Sequence, residues 1–176
     1  MPTEVASTEY GVITHNDEWN TLELRWLPTT KDATEAQARD TMVLFAAETE
    51  QRKPRFLIVD ATEFSHRWAD DMMAWRDKEI IPHYNAGGPA KFAFIVGEGV
   101  PFPTVESGAE PAPDGPATFP TGWFTSRDRA YQWLAEGPPA GPGDRRDRPP
   151  KQHGTPPPAR GRCAIATTCA TGVDQR

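Results

Sequence analysis

Few side chains here have both the type and the spacing that chemistry needs. Asp60 closes the apolar run Phe56-Leu-Ile-Val, at a strand end where the ligand sites of open α/β sheets gather. A carboxylate there either bonds a ligand or accepts bonds from the amides of the following loop, residues 61–65. Thr62 and Ser65 are the nearest hydroxyls. Ser65 stands just before an expected helix. It reads as an N-cap, or as a phospho-acceptor whose new dianion the helix dipole would favour. His66 with Asp70, and Glu79 with His83, lie four residues apart. On a helix each pair shares one face, but neither forms H-E-x-x-H and neither has a third ligand, so no metal is assigned. Asp70 and Asp71 are adjacent and point about 100° apart on a helix. They cannot share one substrate atom, and with Asp77 and Glu79 they read as a solvated face beside Arg67, Arg76 and Lys78.

The densest signal is aromatic: Trp68, Trp75, Tyr84, Trp123 and Trp133. At helical spacing such rings fill cores more often than they hold ligands. Asp60, His66, Trp68 and Tyr84 are the candidates for touching a ligand or partner. Tyr84 is expected to be partly exposed, because it follows Pro82. There is no G-x-S-x-G and no phosphate-cradling glycine loop. Gly97-Glu-Gly99 follows a strand but opens no helix, so it fails the dinucleotide test. No catalytic residue and no cofactor is assigned, and the expectation is a protein that is not an enzyme.

The elements that must position these groups show in the hydrophobic pattern. Residues 10–15 and 21–27 alternate apolar with polar, and the polar link between them predicts a hairpin. Thr34 is a plausible N-cap for a helix to about residue 52, with Ala38, Met42, Phe45 and Ala46 on one stripe. Residues 56–60 and 91–96 (KFAFIV) are continuous apolar runs, the habit of strands buried on both faces. Between them the spacing predicts a helix over 67–81, with Trp68, Met72 and Trp75 on one side and Pro82 as its stop. A long proline-rich loop fills 97–120. A short strand at 122–124 and a helix over 127–135, capped by Ser126, close the domain. The order β-β-α-β-α-β-(loop)-β-α implies a small mixed, mainly parallel α/β sheet of about five strands flanked by three helices.

A boundary near Gly137 divides the chain. Residues 137–162 hold 8 Pro and 5 Gly and no aromatic or aliphatic residue larger than Ala, so they cannot bury enough surface to offset their chain entropy. Residues 1–136 carry 22 acids and 12 bases; residues 137–176 carry 3 acids and 7 bases. The expectation is an acidic α/β domain, 1–136, followed by a basic disordered tail, 137–176. An acidic domain argues against nucleic acid as its partner. The only cysteines, Cys163 and Cys169, lie in the tail. A domain without a disulfide fits a reducing cytoplasm, and the C-x5-C spacing is not a zinc pattern. No apolar run nears the roughly 18 residues a membrane span needs. The acidic start, MPTEVASTEYG, has no apolar stretch of a signal peptide.

The strand FLIVDATEF, the segment HRWADDMMAWRDKEIIPHYNAGG, the strand KFAFIV and the closing GWFTSRDRAYQWL occur in that order over roughly residues 10–135. In this the chain resembles the STAS family, in its SpoIIAA-like branch, which is grouped with the CRAL-TRIO lipid-binding fold. The resemblance implies a bacterial, cytoplasmic regulatory module that binds a protein partner, as anti-sigma-factor antagonists do. Some relatives bind nucleotides or lipids, so a small apolar ligand is the alternative, and a homodimer is a further expectation. In classical members a Ser or Thr within an Asp-Ser-Ser-Gly-like motif is phosphorylated after the central strand. Asp60-Ala-Thr-Glu-Phe-Ser-His66 occupies that neighbourhood without the motif. An enzyme of unrecognised scheme is the third reading.

Overall fold

The structure is a computed structural model, and it describes residues 1–97 and 107–136. Seven strands form one mixed sheet: β1 (Thr3–Ser7), β2 (Gly11–Asn16), β3 (Thr21–Trp26), β4 (Phe56–Ala61), β5 (Lys91–Val96), β6 (Ser107–Ala109) and β7 (Thr121–Phe124). Their spatial order is β1-β2-β3-β4-β5-β7-β6. The core strands β3, β4, β5 and β7 run parallel, while β1, β2 and β6 add antiparallel pairings at the two sides. The sheet is therefore larger than the five strands expected, and its parallel and antiparallel pairings are equal in number. The two additional strands are its edges. β1 (TEVAS) has no alternation, and β6 (Ser-Gly-Ala) has no β-forming side chain. Each exists because a neighbour offers hydrogen bonds, a cause that local pattern does not carry.

Helix α1 (Glu35–Arg52) links β3 to β4. Thr34 caps it as read from the sequence: its hydroxyl accepts from the Gln37 amide, and the Thr34 amide donates to Gln37 Oε1. Between β4 and β5 a single helical run replaces the expected helix over 67–81. It consists of α2 (Met72–Trp75), a π-helical turn (Arg76–Ile80) and α3 (Ile81–Gly87). Residues 65–69 are not helical, and Pro82 does not stop the run. In the π turn the Ile81 amide reaches Arg76 O, which shifts the ladder by one residue just before the proline. Pro82 then sits at the start of a fresh α segment, where its missing N–H is tolerated. Gly87 lets α3 approach α1. A Cβ there would lie 2.7 Å from Thr49 Cγ2 and 2.9 Å from Thr49 O. Helix α4 (Arg127–Ala135) follows β7, with Ser126 accepting from the Arg129 amide as expected.

The two faces of the sheet are covered unequally. On one, Leu22, Leu24, Leu57, Val59 and Phe92 pack against Phe45 and Ala46 of α1 and Tyr84 of α3. On the other, Phe56, Ile58, Ala93 and Ile95 pack against Ala130 and Leu134 of α4. β4 thus contributes to both cores, as its unbroken apolar run requires. Fully burying each such aliphatic side chain contributes about 1.5–3 kcal/mol. Helix α4 lies over β5 and β7. Register places Val12, Thr14, Glu23 and Arg25 on the same face as Ile58 and Asp60. Over that half of the sheet Val12, Thr14 and Asn16 are half-buried and Arg25 is exposed.

Among the described residues no helix is long and apolar enough to cross a membrane. Residues 98–106, which include most of the Gly97-Glu-Gly99 stretch and part of the proline-rich loop, lie outside the described residues. So do the expected tail 137–176 and both cysteines.

Candidate functional site

Asp60, at the end of β4, accepts bonds from the loop that follows it and from an arginine of α4. Its Oδ1 accepts from the Thr62 amide at 3.1 Å and the Thr62 hydroxyl at 2.7 Å, which shapes the loop. Its Oδ2 accepts from Arg127 Nη2 at 3.0 Å. The same guanidinium is gripped by Glu23 of β3. Nη1 donates to Oε2 at 2.7 Å and Nη2 to Oε1 at 2.5 Å. Glu23 and Asp60 are each 8% exposed, while the Arg127 side chain is 45% exposed. The Glu23 bonds first, offset in part by desolvation, and then the charges of both carboxylates hold Arg127 protonated more firmly than free arginine. One turn on, Tyr131 stands beside Glu23 and Arg127. Burial first, and then the Glu23 charge, raises its hydroxyl pKa. Its ring meets Trp19 edge-on, with centroids 5.8 Å apart. Trp19 projects from the tip of the β2–β3 hairpin and is 39% exposed.

Sequence reasoning passed over Glu23, Arg127, Tyr131 and Trp19. Two signals were there to read. Arg127 is a cation in the first turn of a helix, where the dipole disfavours it unless acids hold it. Trp19 is a large ring inside an otherwise polar turn.

A second cluster lies at the rim of the opposite face. Glu35 of α1 accepts from His66 Nε2 (3.1 Å), the Ala69 amide (3.2 Å) and Arg39 Nε (2.8 Å). Arg39 Nη2 continues to Asp71 at 2.7 Å. Burial pulls the Glu35 carboxyl upward. The bonds from His66, Arg39 and the Ala69 amide outweigh that and leave it below the ordinary value. The ring of His66 stands edge-on to Trp68, whose ring stacks on Phe64, and both Phe64 and Trp68 meet Trp26 edge-on. This network pins the non-helical segment before α2 onto α1.

Several expected placements change. Ser65 is exposed and lies seven residues before the first helical residue, so it is no N-cap, and a phosphate there would not meet the helix dipole. Its amide donates to Thr30 Oγ1 at 3.1 Å. The Thr62 hydroxyl is spent on Asp60. His66 and Asp70 do not share a helical face, because residues 65–69 are not helical. His83 pairs with Glu50 of α1 at 2.5 Å rather than with Glu79. Tyr84 is buried, 3% exposed, between Phe45 and Phe92 at centroid distances of 5.7 and 5.4 Å. Burial raises its pKa, and it belongs to the core rather than to a binding surface. Asp60, with Thr62, is drawn to Arg127 on one face, and His66 with Trp68 to Glu35 on the other.

Lys91 opens β5 and is 5% exposed. Its Nζ donates to Trp133 O at 2.6 Å and Glu136 O at 2.8 Å, and lies 4.6 Å from the Trp133 ring centroid. It thus neutralises the carbonyl end of α4. Burial, opposed by the charges of Glu136 and Glu110, lowers its pKa. A cleft of about 270 Å³ opens beside it, lined by Gly108, Glu110, Pro120 and Trp133 among others. Among the described residues no group of three or more His, Cys, Asp or Glu side chains is arranged to hold a metal ion.

Fold and site together define a mixed α/β domain in which, among the described residues, α4 alone covers the second face and covers only part of it. No family model, no curated protein and no solved structure matches the chain.

Proposed function

We propose that residues 1–136 form a STAS-like, non-enzymatic binding and regulatory module that acts by holding a protein partner, in the manner of an anti-sigma-factor antagonist. The observation that carries this is the half-open sheet face beside α4. Parallel strands are covered on both faces, whereas antiparallel strands can leave one face uncovered. Here no helix of the described residues covers one face of β1, β2 and β3, and the bordering side chains include Trp19, Arg25, Arg127 and Tyr131. Trp, Tyr and Arg dominate the energetics of protein interfaces. The charged groups at the strand ends support the same reading. Glu23 and Asp60 hold α4, and Glu35 holds the segment before α2, so these groups serve geometry. Beside α3 the interior is filled by Phe45, Tyr84 and Phe92, which disfavours an apolar ligand there. Element order, with parallel β3, β4 and β5 joined through helices, supports the STAS-like part.

Affinity capture of the full-length protein from extract of its source cells tests the reading. One stoichiometric protein partner is expected, and its retention should fall at least about tenfold in Trp19→Ala, a loss of about 1.4 kcal/mol. Native mass spectrometry of the same preparation should show no stoichiometric small ligand. A stoichiometric small ligand, or a partner retained equally by Trp19→Ala, overturns it.

A further inference from the structure

We infer that the open half-face is a trough for a cationic helix supplied by the partner, an inference that rests on the binding-module reading. The first argument is dimensional. β1 and β3 are two strand spacings apart, about 10 Å, and a helix with its side chains is about 10–12 Å across. Arg127 and Tyr131 are four apart on α4 and form the wall of the trough, because both reach Glu23 on β3. A second helix laid on β1–β3 would cover the part of this face that α4, which lies over β5 and β7, leaves bare. Strand addition fits less well. The free edge belongs to β1, whose register shifts between Glu4 and Ala6, and a bulge of this kind blunts an edge against pairing.

The second argument is charge. Arg127 is already matched by Glu23 and Asp60, two carboxylates on one guanidinium. Glu4 borders the trough on β1, and Asp17 and Glu18 precede Trp19 on the hairpin tip, where Asp17 Oδ1 also lies 3.0 Å from His15 Nδ1. Against these acids stands Arg25. The balance is negative, as it is for residues 1–136 as a whole. Trp19 and Tyr131 add two aromatic rings at the same end, and a Lys or Arg side chain gains most where a ring and a carboxylate are both in reach. The floor, Val12 and Thr14, offers methyl groups to the aliphatic stems of such side chains.

Titration of the isotope-labelled full-length protein with two synthetic helical peptides tests this by amide and indole NMR shifts. One is an alanine-based 18-residue peptide with four Lys and two Arg along one face; in the other those six are Glu. The basic peptide should shift the Trp19 indole and the amides of Thr14, Arg25 and Tyr131. Its affinity should fall several-fold between low and physiological salt. Asp17→Asn with Glu18→Gln, both exposed, should weaken it several-fold without disturbing the fold. If the acidic peptide seats on those residues, or the paired variant binds as before, the cationic assignment fails while the module reading stands. If neither peptide shifts them, the trough fails as a helix site. The module reading is then decided separately by whether the captured partner depends on Trp19.

Discussion

The two faces of the sheet are closed by different physics. On the α1 and α3 face, Leu22, Leu24, Leu57 and Phe45 are at most 1% exposed, and rings meet edge-on around Tyr84. Charged groups stay at its rim, where Glu35, His66 and Arg39 tie a loop to α1. On the α4 face the apolar contact stops at β4. Beyond it, Glu23, Asp60 and Arg127 form a charged seam, and past the seam no helix of the described residues covers the sheet. Apolar burial is non-directional and carries most of the stability. A charge seam carries less net stability but sets direction, because a guanidinium fork donates to carboxylates in few geometries. The first face holds the fold; the second holds α4 in register and leaves its flank presented.

Three substitutions probe that contrast. Leu57→Ala, in the α1 face, should destabilise the domain by about 2–5 kcal/mol through lost burial and the cavity left behind. Urea unfolding measures it, and a cost below about 1 kcal/mol would mean the face is not the main core. Arg127→Met should cost less, about 1–3 kcal/mol, because Glu23 and Asp60 lose their partner although solvent already screens half the guanidinium. The same variant should loosen α4 selectively, seen as faster amide exchange at Ala130 and Leu134. A uniform loss across both faces would erase the proposed division of labour.

The smallest effect is a pH dependence. The folded Glu35 carboxyl titrates below its ordinary value of 4.5. Its contribution is therefore fully present above that value and disappears as pH falls through the folded pKa. Glu35→Gln should remove that dependence. The stability difference between wild type and variant should be widest above pH 4.5 and shrink in more acidic buffer. A constant difference across the acid range would show that the carboxylate's charge contributes nothing at this rim.

Much of the framework was legible from residue pattern alone. The hairpin, the capped helix α1, the doubly buried strands β4 and β5, and α4 with its Ser126 cap all follow from periodicity and local hydrogen bonding. These are decided within a few residues, by side-chain alternation and by caps. Asp60 was legible too, because a carboxylate closing a buried strand must find donors. What escaped was decided by distant neighbours. The edge strands β1 and β6 exist through partner hydrogen bonds. Pro82 was read as a stop because the compensating π turn depends on how the run packs between β4 and β5. Tyr84 was expected near the surface, but α1 and β5 close over it. The Glu23–Arg127 pair spans 104 positions of sequence, and only the tertiary structure brings it together. Sequence by itself therefore determined the strands and helices whose preferences are local, from the hairpin through α1, β4 and β5 to α4. The tertiary structure alone decided which face stays open and which charges guard it, because burial is shared among segments far apart in the chain.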